Sequence, residues 1–286
     1  MPELPEVETV VRGLQKVLPG RRIVEVRLGK TDFIEDPAAL ERELPGSRIA
    51  AVRRYGKFLV FDLESPQAGT HKPALLIHLL IHLGMTGQLI TCAPDASIAP
   101  HTHVFFVLDD GRELRYKDPR RFGNMQMVVQ GNGSPLGSLG PDPLEATETE
   151  FVQQLRGHRA RIKALLLDQS VLRGMGNIYA DESLWRARIN PMRLASSLKE
   201  AELRQLYRAV QTILKEAIRL RGSSISDYVD CSGERGEFQL KHRVYQREGK
   251  KCARCKALIR RVIVAGRSSH FCPNYQPVPR ARRRKK

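Results

Sequence analysis

The chain has 286 residues, of which 41% are apolar, and its formal net charge is +17 at pH 7. This composition argues against a disordered chain, and no apolar run approaches the roughly 20 residues that a spanning helix needs. The basic excess predicts a polyanionic partner such as nucleic acid. Since the N-terminus also lacks the pattern of a signal peptide, we expect a cytoplasmic protein.

The first predicted element is a helix that begins near Pro5, because apolar side chains recur every three or four residues as far as Leu18. Short alternating and β-branched runs follow and predict a β-sandwich or barrel. A Gly-, Ser- and Pro-rich stretch then predicts a linker, and helical periodicity follows it. We therefore expect an α+β fold with a sheet domain at 2–130, a linker at 131–146, a helical domain at 147–235, a hairpin at 236–276 and a basic disordered tail at 277–286.

The opening residues MPELPEVETV place a proline and glutamates at the start of the first helix. Removal of Met1 by methionine aminopeptidase would leave Pro2 with a free secondary amine. In the positive field of a helix N-terminus such an amine can attack an electrophilic sugar carbon and form an iminium, while Glu3 and Glu6 transfer protons. The alternative, favoured by composition alone, is that Pro2 and Pro5 only start the helix.

Seven motifs follow one another along the chain: MPELPEVETV, YGKFLVF, HLGMTG, DPRRFG, GMGNIYADESL, GSSISDYV and a cysteine-rich finger. Over residues 2–276 they resemble the bacterial formamidopyrimidine-DNA glycosylase (Fpg) and endonuclease VIII family. The resemblance implies an N-terminal helix with a β-sandwich, then a helix-two-turn-helix domain with a zinc-finger-like β-hairpin. It implies a bifunctional glycosylase and abasic-site lyase of base excision repair, which removes 8-oxoguanine and formamidopyrimidines through a proline iminium and β,δ-elimination.

The same resemblance assigns the catalytic residues. It makes Pro2 the nucleophile that attacks the sugar C1′ and Glu3 the carboxyl group that assists ring opening and proton transfer. Lys57, in the YGK turn, would contact the phosphate at the lesion, although an ordinary turn cation is the plainer alternative. Glu6 and Glu182 are the expected supporting carboxylates of the active-site region.

Four residues of the sheet domain match positions that the family uses at the lesion: His82, Met85, Arg120 and Phe122. An enzyme that swings a base out of the duplex can fill the vacated stack with apolar wedges and an arginine. Met85 and Phe122 are the expected wedges, and Arg120 would pair with the orphaned base. The sequence LLIH occurs twice in succession, at 75–78 and 79–82, so that His78 competes with His82 for the histidine role.

The second half of the chain supplies three further expected DNA contacts. By resemblance, Lys163 and Asn177 contact phosphate from the helix-two-turn-helix, and Arg267 does so from the tip of the finger. Asn177 also follows a Gly-rich turn and precedes a helix, where backbone N–H groups bind phosphate; a plain N-cap is the alternative. The loop at 222–230 resembles the segment that closes over the flipped base.

The finger departs from the family pattern. Cys252, Cys255 and Cys272 have the spacing of three zinc ligands, but Tyr275 stands where the fourth cysteine is expected. The cluster predicts one zinc ion in a reducing compartment. Three arrangements stay open: His270 as the fourth ligand, three cysteines with a water, or a hairpin without metal.

The leading interpretation is a DNA repair enzyme for oxidised purines. An endonuclease VIII-like enzyme for oxidised pyrimidines is an alternative, although the opening PEL differs from that branch's usual PEG. A DNA-binding relative with impaired catalysis is another, against which the presence of Pro2, Glu3 and Lys57 argues. The expected partner is damaged double-stranded DNA, bound by a monomer in a bacterial cytoplasm near the nucleoid, with no membrane contact.

Overall fold

The structure is a computed structural model that describes residues 1–65, 76–129 and 135–278. It divides into two compact units. The first contains Met1–Gly137 and Ala217–Gln239, and the second contains Ser138–Glu216 and the chain from Leu240 onward. The predicted tail lies outside the described residues from position 279, as does part of the predicted linker. The predicted domain boundaries stay predictions.

The first unit begins with helix α1, Leu4–Leu14, and contains two antiparallel four-stranded sheets. One sheet has the order β1-β6-β7-β5 and the other β2-β3-β4-β8. Side chains of α1 and of both sheets share one hydrophobic core, so the sheets form the predicted sandwich. The elements are β1 (Ile23–Leu28), α2 (Pro37–Glu43), β2 (Arg48–Tyr55), β3 (Phe58–Glu64), β4 (Leu76–His82), β5 (Gln88–Cys92), β6 (Thr102–Leu108), β7 (Glu113–Lys117) and β8 (Asn124–Val129).

Alternation along the strands explains this core. In β3, Leu59, Phe61 and Leu63 point inward and are almost completely buried. Successive strand side chains face opposite sides, so each second residue enters the sandwich. Burial of each large apolar side chain contributes about 2 kcal/mol relative to exposure.

The LLIH repeat does not disturb this sheet. From Leu76 to His82 every residue of β4 pairs with a residue of β3 in unbroken register, and β8 pairs along the other side. The described part of the repeat is therefore an interior strand of the sheet. Leu75 lies outside the described residues.

The second unit is helical and carries a two-stranded hairpin. Its helices are α3 (Glu148–Leu155), α4 (Ile162–Leu167), α5 (Asn177–Arg186) and α6 (Glu200–Arg219), the last of which continues into the first unit. The hairpin consists of β9 (Arg260–Val264) and β10 (Arg267–Phe271). Ala265 and Gly266 connect these strands with φ of 48° and 70°, as two-residue hairpin turns require.

These elements confirm the predicted α+β class with an N-terminal sandwich and a C-terminal helical part with a hairpin. Among the described residues, no helix combines the length and the apolar character that crossing a bilayer demands.

Candidate active site and nucleic-acid interface

The N-terminus of α1 buries the two residues predicted to carry the chemistry. Pro2 and Glu3 are both buried, and Glu3 is the N-cap residue of α1. Its backbone N–H donates to Glu6 Oε2 at 2.8 Å. The positive end of the helix dipole favours an unprotonated amine and ionised carboxylates at this position. The geometry therefore suits a nucleophilic amine beside a proton-transfer group.

Glu6 links α1 to the segment predicted to close over the flipped base. Its Oε1 accepts the backbone N–H of Ser223 at 2.7 Å, and its carbonyl oxygen accepts the Tyr228 hydroxyl at 3.2 Å. Both carboxylate oxygens of Glu6 are thus hydrogen-bonded to backbone. This arrangement makes Glu6 a positioning residue for the 222–230 segment, whose ends are anchored while residues 225–227 are exposed.

Gly222 lies so close to the Glu6 carboxylate that a side chain at this position would collide with it. Its φ is +77°, and a Cβ there would lie 2.6 Å from Glu6 Oε1. Gly222→Ala should therefore lower the free energy of unfolding by about 2 kcal/mol or more and slow base excision. Gly233→Ala is the matched control, because Gly233 has φ +84° with open space around its Cβ position. Urea denaturation of both variants is the measurement, and equal losses would contradict the contact.

Lys57 and His82 lie together at one end of the second sheet. Gly56 and Lys57 form the turn between β2 and β3, and His82 pairs with Phe58 just after that turn. The His82 ring lies 5.0 Å from the Phe58 ring. His78 instead makes a 2.6 Å contact with Asp62. The structure therefore brings His82, and not His78, beside the predicted catalytic lysine.

The imidazole ring of His82 is neutral near pH 7 and can donate one hydrogen bond. Burial, followed by the charge of Lys57, lowers the pKa of His82 to about 4. Its Nδ1 accepts the Gly84 backbone N–H at 3.1 Å, so a neutral ring carries its proton on Nε2. The Nε2–H group can donate to a phosphate oxygen without a charge on the ring.

This pKa sets a pH dependence of stability. Between the unfolded value of about 6.5 and the folded value, the unfolded chain binds a proton that the folded protein does not. The contribution of His82 therefore lowers the free energy of unfolding as pH falls through this window. In an NMR titration the His82 ring resonance, identified by its loss in His82→Gln, should titrate near pH 4. A midpoint near 6.5 would contradict this geometry.

Met85, Arg120 and Phe122 form an exposed cluster on the first unit. Met85 is 43% exposed and Phe122 is 61% exposed. The Arg120 guanidinium lies 5.1 Å from the centre of the Phe122 ring, and its Nη2 donates to Met85 Sδ at 2.8 Å. Two exposed apolar side chains around an arginine are what a wedge into a base stack requires. The structure thus gathers the three residues predicted for this role.

Asp118 holds the two turns of this cluster together, and sequence reasoning missed it. Its carboxylate is fully buried and accepts hydrogen bonds from four groups. The donors are Thr86 Oγ1 at 2.5 Å, Gly123 N at 2.9 Å, Tyr116 Oη at 3.1 Å and Arg120 N at 3.3 Å. An aspartate that starts a Pro-containing turn was the available signal, because such side chains bond nearby backbone N–H groups.

In the second unit, Arg267 is exposed and Asn177 is half-buried at the start of a helix. Asn177 is the first residue of α5 and is half-buried after the turn Gly174–Gly176. Arg267 is exposed at the first position of β10, directly after the hairpin turn. A helix N-terminus and an exposed guanidinium are both suited to phosphate.

The structure corrects the expectation for Lys163. Its side chain is 0% exposed, and its ammonium lies 2.6 Å from Asp181 Oδ1 and donates to the Ser268 carbonyl oxygen at 2.9 Å. The ammonium is therefore buried and paired within the protein and is not open to solvent. It joins α4, α5 and β10, so its place is inside the second unit.

Glu182, a predicted supporting carboxylate of the active-site region, binds backbone groups of its own unit. Its carboxylate is fully buried and accepts the backbone N–H groups of Arg243, Val244 and Tyr245 at 2.9–3.0 Å. Burial raises the pKa of Glu182 to about 7, although these hydrogen bonds oppose the rise. Within this unit Glu182 anchors the segment that leads into the finger.

The three cysteines of the finger converge as predicted. The sulfur atoms of Cys252, Cys255 and Cys272 all lie within 4.8 Å of one another. The side chain of His270 is not part of this cluster; its Nδ1 lies 3.3 Å from Asp181 Oδ2. Three thiolates suit zinc, and His270 is not the fourth ligand in this structure.

Family models match most of the chain. They are the formamidopyrimidine-DNA glycosylase N-terminal domain at residues 1–125, its H2TH domain at 139–229, and a zinc finger found in FPG and IleRS at 249–274. The zinc finger match and the cysteine cluster confirm the prediction of a zinc site.

Relatives agree with these matches. A protein of Solibacter usitatus named formamidopyrimidine-DNA glycosylase is 45% identical over 96% of this chain and 99% of its own. A crystal structure of a Lactococcus lactis FPG mutant with a Fapy-dG containing DNA has a TM-score of 0.86 at 34% identity, covering 97% of this chain and all of that one. The Thermus thermophilus Fpg structure has a TM-score of 0.81 at 41% identity, covering 96% of this chain and 98% of that one. The chain therefore belongs to the formamidopyrimidine-DNA glycosylase family.

Proposed function

We propose that this protein is a bifunctional glycosylase and abasic-site lyase that removes oxidised purines, including 8-oxoguanine and formamidopyrimidines, from duplex DNA. The observation that carries the proposal is the burial of Pro2 and Glu3 at the N-terminus of α1, beside the Glu6 anchor. Family membership supports the same activity. Damaged DNA is also the ligand in the Lactococcus lactis complex.

The chemistry proceeds from the amine that removal of Met1 exposes. The Pro2 nitrogen attacks the sugar C1′, and the bond from C1′ to the base breaks as the base leaves with a proton. Glu3 transfers protons as the sugar ring opens and the iminium forms. Loss of a C2′ proton then breaks the C3′–O bond, and a second elimination breaks the C5′–O bond. Hydrolysis of the iminium by water releases the sugar fragment and restores the Pro2 amine.

The other residues hold the DNA for this chemistry. Lys57 and the Nε2–H of His82 bind phosphate at the lesion, with Asn177 and Arg267 as phosphate contacts of the second unit. The cluster around Phe122 fills the space left by the flipped base. Zinc, held by the three finger cysteines, would stabilise the hairpin that presents Arg267.

The setting follows from the substrate. Chromosomal DNA is the polyanion that the charge of +17 suits. We accordingly place the protein in the bacterial cytoplasm, where it acts on the nucleoid as a monomer.

Excision from matched duplexes tests this proposal. Duplexes with one 8-oxoguanine, one formamidopyrimidine or one oxidised thymine are compared under single-turnover conditions. We expect the two purine lesions to be excised faster and the strand to be cut on both sides of the lost nucleoside. A preference for the oxidised thymine would instead identify an endonuclease VIII-like enzyme. Tight binding without cleavage of any duplex would identify a DNA-binding relative.

A further inference from the structure

Tyr275, at the fourth ligand position of the finger, packs against the cluster that contains Cys252 and Cys272, and its side chain contacts residues of α5 and of the segment after it. The Tyr275 hydroxyl accepts a hydrogen bond from Arg188 Nε at 3.0 Å, and the Arg188 guanidinium lies 4.9 Å from the Tyr275 ring centre. The Trp185 ring, in α5, lies 5.3 Å from the Tyr275 ring. Tyrosine at this position thus packs against α5 and the residues that follow it.

Other contacts with the same helix region hold the finger without using a cysteine side chain. The His270 backbone N–H donates to Asp181 Oδ2 at 2.8 Å, and Glu182 accepts three successive N–H groups before the finger. Gln276 Nε2 donates to the Ile189 carbonyl oxygen at 2.8 Å, while Asn190 Nδ2 donates to the Gln276 carbonyl oxygen at 2.9 Å. These bonds fix both strand β10 and the chain after Cys272.

The three sulfurs nevertheless have the spacing of a metal site. Thiolates at about 2.3 Å from zinc in a tetrahedron lie about 3.8 Å from one another. Here Cys255 Sγ and Cys272 Sγ lie 3.3 Å apart, and the whole cluster fits within 4.8 Å. Cys255 is exposed, so that solvent reaches the cluster. The residues supply three ligands and access for a small molecule.

We propose that this finger binds zinc through three thiolates with an exchangeable fourth ligand from solution, and that the packing of Tyr275 on Arg188 and Trp185 replaces the fourth cysteine in holding the hairpin. The site therefore binds metal more weakly than a four-thiolate knuckle. It also accepts small donors such as thiols or imidazole at the open position. This inference concerns metal binding alone and does not depend on the proposed activity.

Cobalt substitution tests the ligand set without DNA. Co²⁺ replaces Zn²⁺ in tetrahedral sites, and its sulfur-to-metal absorption grows with the number of thiolates. We expect the absorption of Tyr275→Cys to exceed that of the unchanged protein by about a third, as four ligands replace three. Added 2-mercaptoethanol or imidazole should change the visible bands of the unchanged protein and leave those of Tyr275→Cys unaltered. Cys92→Ser is the control, because Cys92 lies in β5 outside the cluster.

Two results would overturn the ligand assignment. One is a cobalt spectrum of the unchanged protein with the absorption of four thiolates. The other is a cobalt spectrum of the unchanged protein that stays the same when 2-mercaptoethanol or imidazole is added. Competition with a chromophoric chelator should also show zinc binding at least about 10-fold tighter in Tyr275→Cys than in the unchanged protein. Equal affinities would contradict the open position.

Hydrogen exchange tests the replacement of the ligand by packing. After chelation of the metal, we expect the amide of His270 to keep its protection in the unchanged protein. Arg188→Ala, which removes the partner of the Tyr275 hydroxyl, should lose that protection when the metal is removed and regain it when zinc is added. Loss of protection in the chelated unchanged protein would show that metal, and not packing on α5, holds the hairpin.

Discussion

Glu3→Gln is expected to lower the rate of base excision by about 10²–10⁴-fold, the usual contribution of a positioned proton-transfer group. Glutamine keeps the size of the side chain and its ability to accept a hydrogen bond, but it cannot take up a proton at neutral pH. The folded structure and the affinity for lesion-containing DNA should therefore change little. The separation of rate from binding is what distinguishes a catalytic carboxylate from a helix cap.

Single-turnover excision and equilibrium binding on the same 8-oxoguanine duplex measure the two quantities. Glu8→Gln is the matched control, since Glu8 lies on the same helix but pairs with Arg12 and Arg54. This control should keep an excision rate close to that of the unchanged protein. Equal rates for Glu3→Gln and the unchanged protein would remove Glu3 from the mechanism.

Asp118→Ala is expected to cost about 3 kcal/mol or more of unfolding free energy, because it leaves buried donors without their acceptor. The donors are Thr86, Tyr116 and the backbone of Gly123, besides the N–H of Arg120. The turns that present Met85 and Phe122 lose their common support. We therefore also expect weaker discrimination between damaged and undamaged DNA.

Denaturant unfolding together with binding to lesion and undamaged duplexes measures this effect. Asp32→Ala is the control, because Asp32 pairs with Arg121 of the same DPRRFG segment but is exposed. An exposed ion pair contributes little to stability, so this substitution should leave the free energy of unfolding nearly unchanged. A similar cost for both substitutions would show that Asp118 does not organise the cluster.

Local patterns predicted the parts of the fold that depend on nearby residues. The apolar repeat of α1 and the alternation in β3 specify which faces are buried, because both periods are fixed by backbone geometry. The motifs HLGMTG and DPRRFG meet in the structure, where Gly84 lies against the backbone of Phe122. A Cβ at Gly84 would lie 2.3 Å from that backbone. The two turns can approach each other this closely because glycine has no side chain.

The sequence did not predict the contacts of residues whose partners lie far along the chain. From the sequence, Lys163 is expected to be a surface cation that contacts phosphate. In the structure its ammonium is buried against Asp181 and the Ser268 carbonyl oxygen. The hydrogen bonds of Glu182 with the backbone of residues 243–245 were likewise not predicted. Neither spacing nor residue type specifies such pairs, since the contacts depend on the packed tertiary structure. The catalytic roles of Pro2, Glu3 and Lys57 stay predictions.

The most direct test of the account is borohydride trapping of the protein on two duplexes, one with 8-oxoguanine opposite cytosine and one with an abasic site. Borohydride reduces an iminium to a stable amine and so joins enzyme to DNA. Mass spectrometry should first show that Met1 is absent, and the peptide joined to the sugar should then contain Pro2. We expect an adduct on both duplexes. No adduct on either duplex, with Met1 removed, would contradict the proline mechanism.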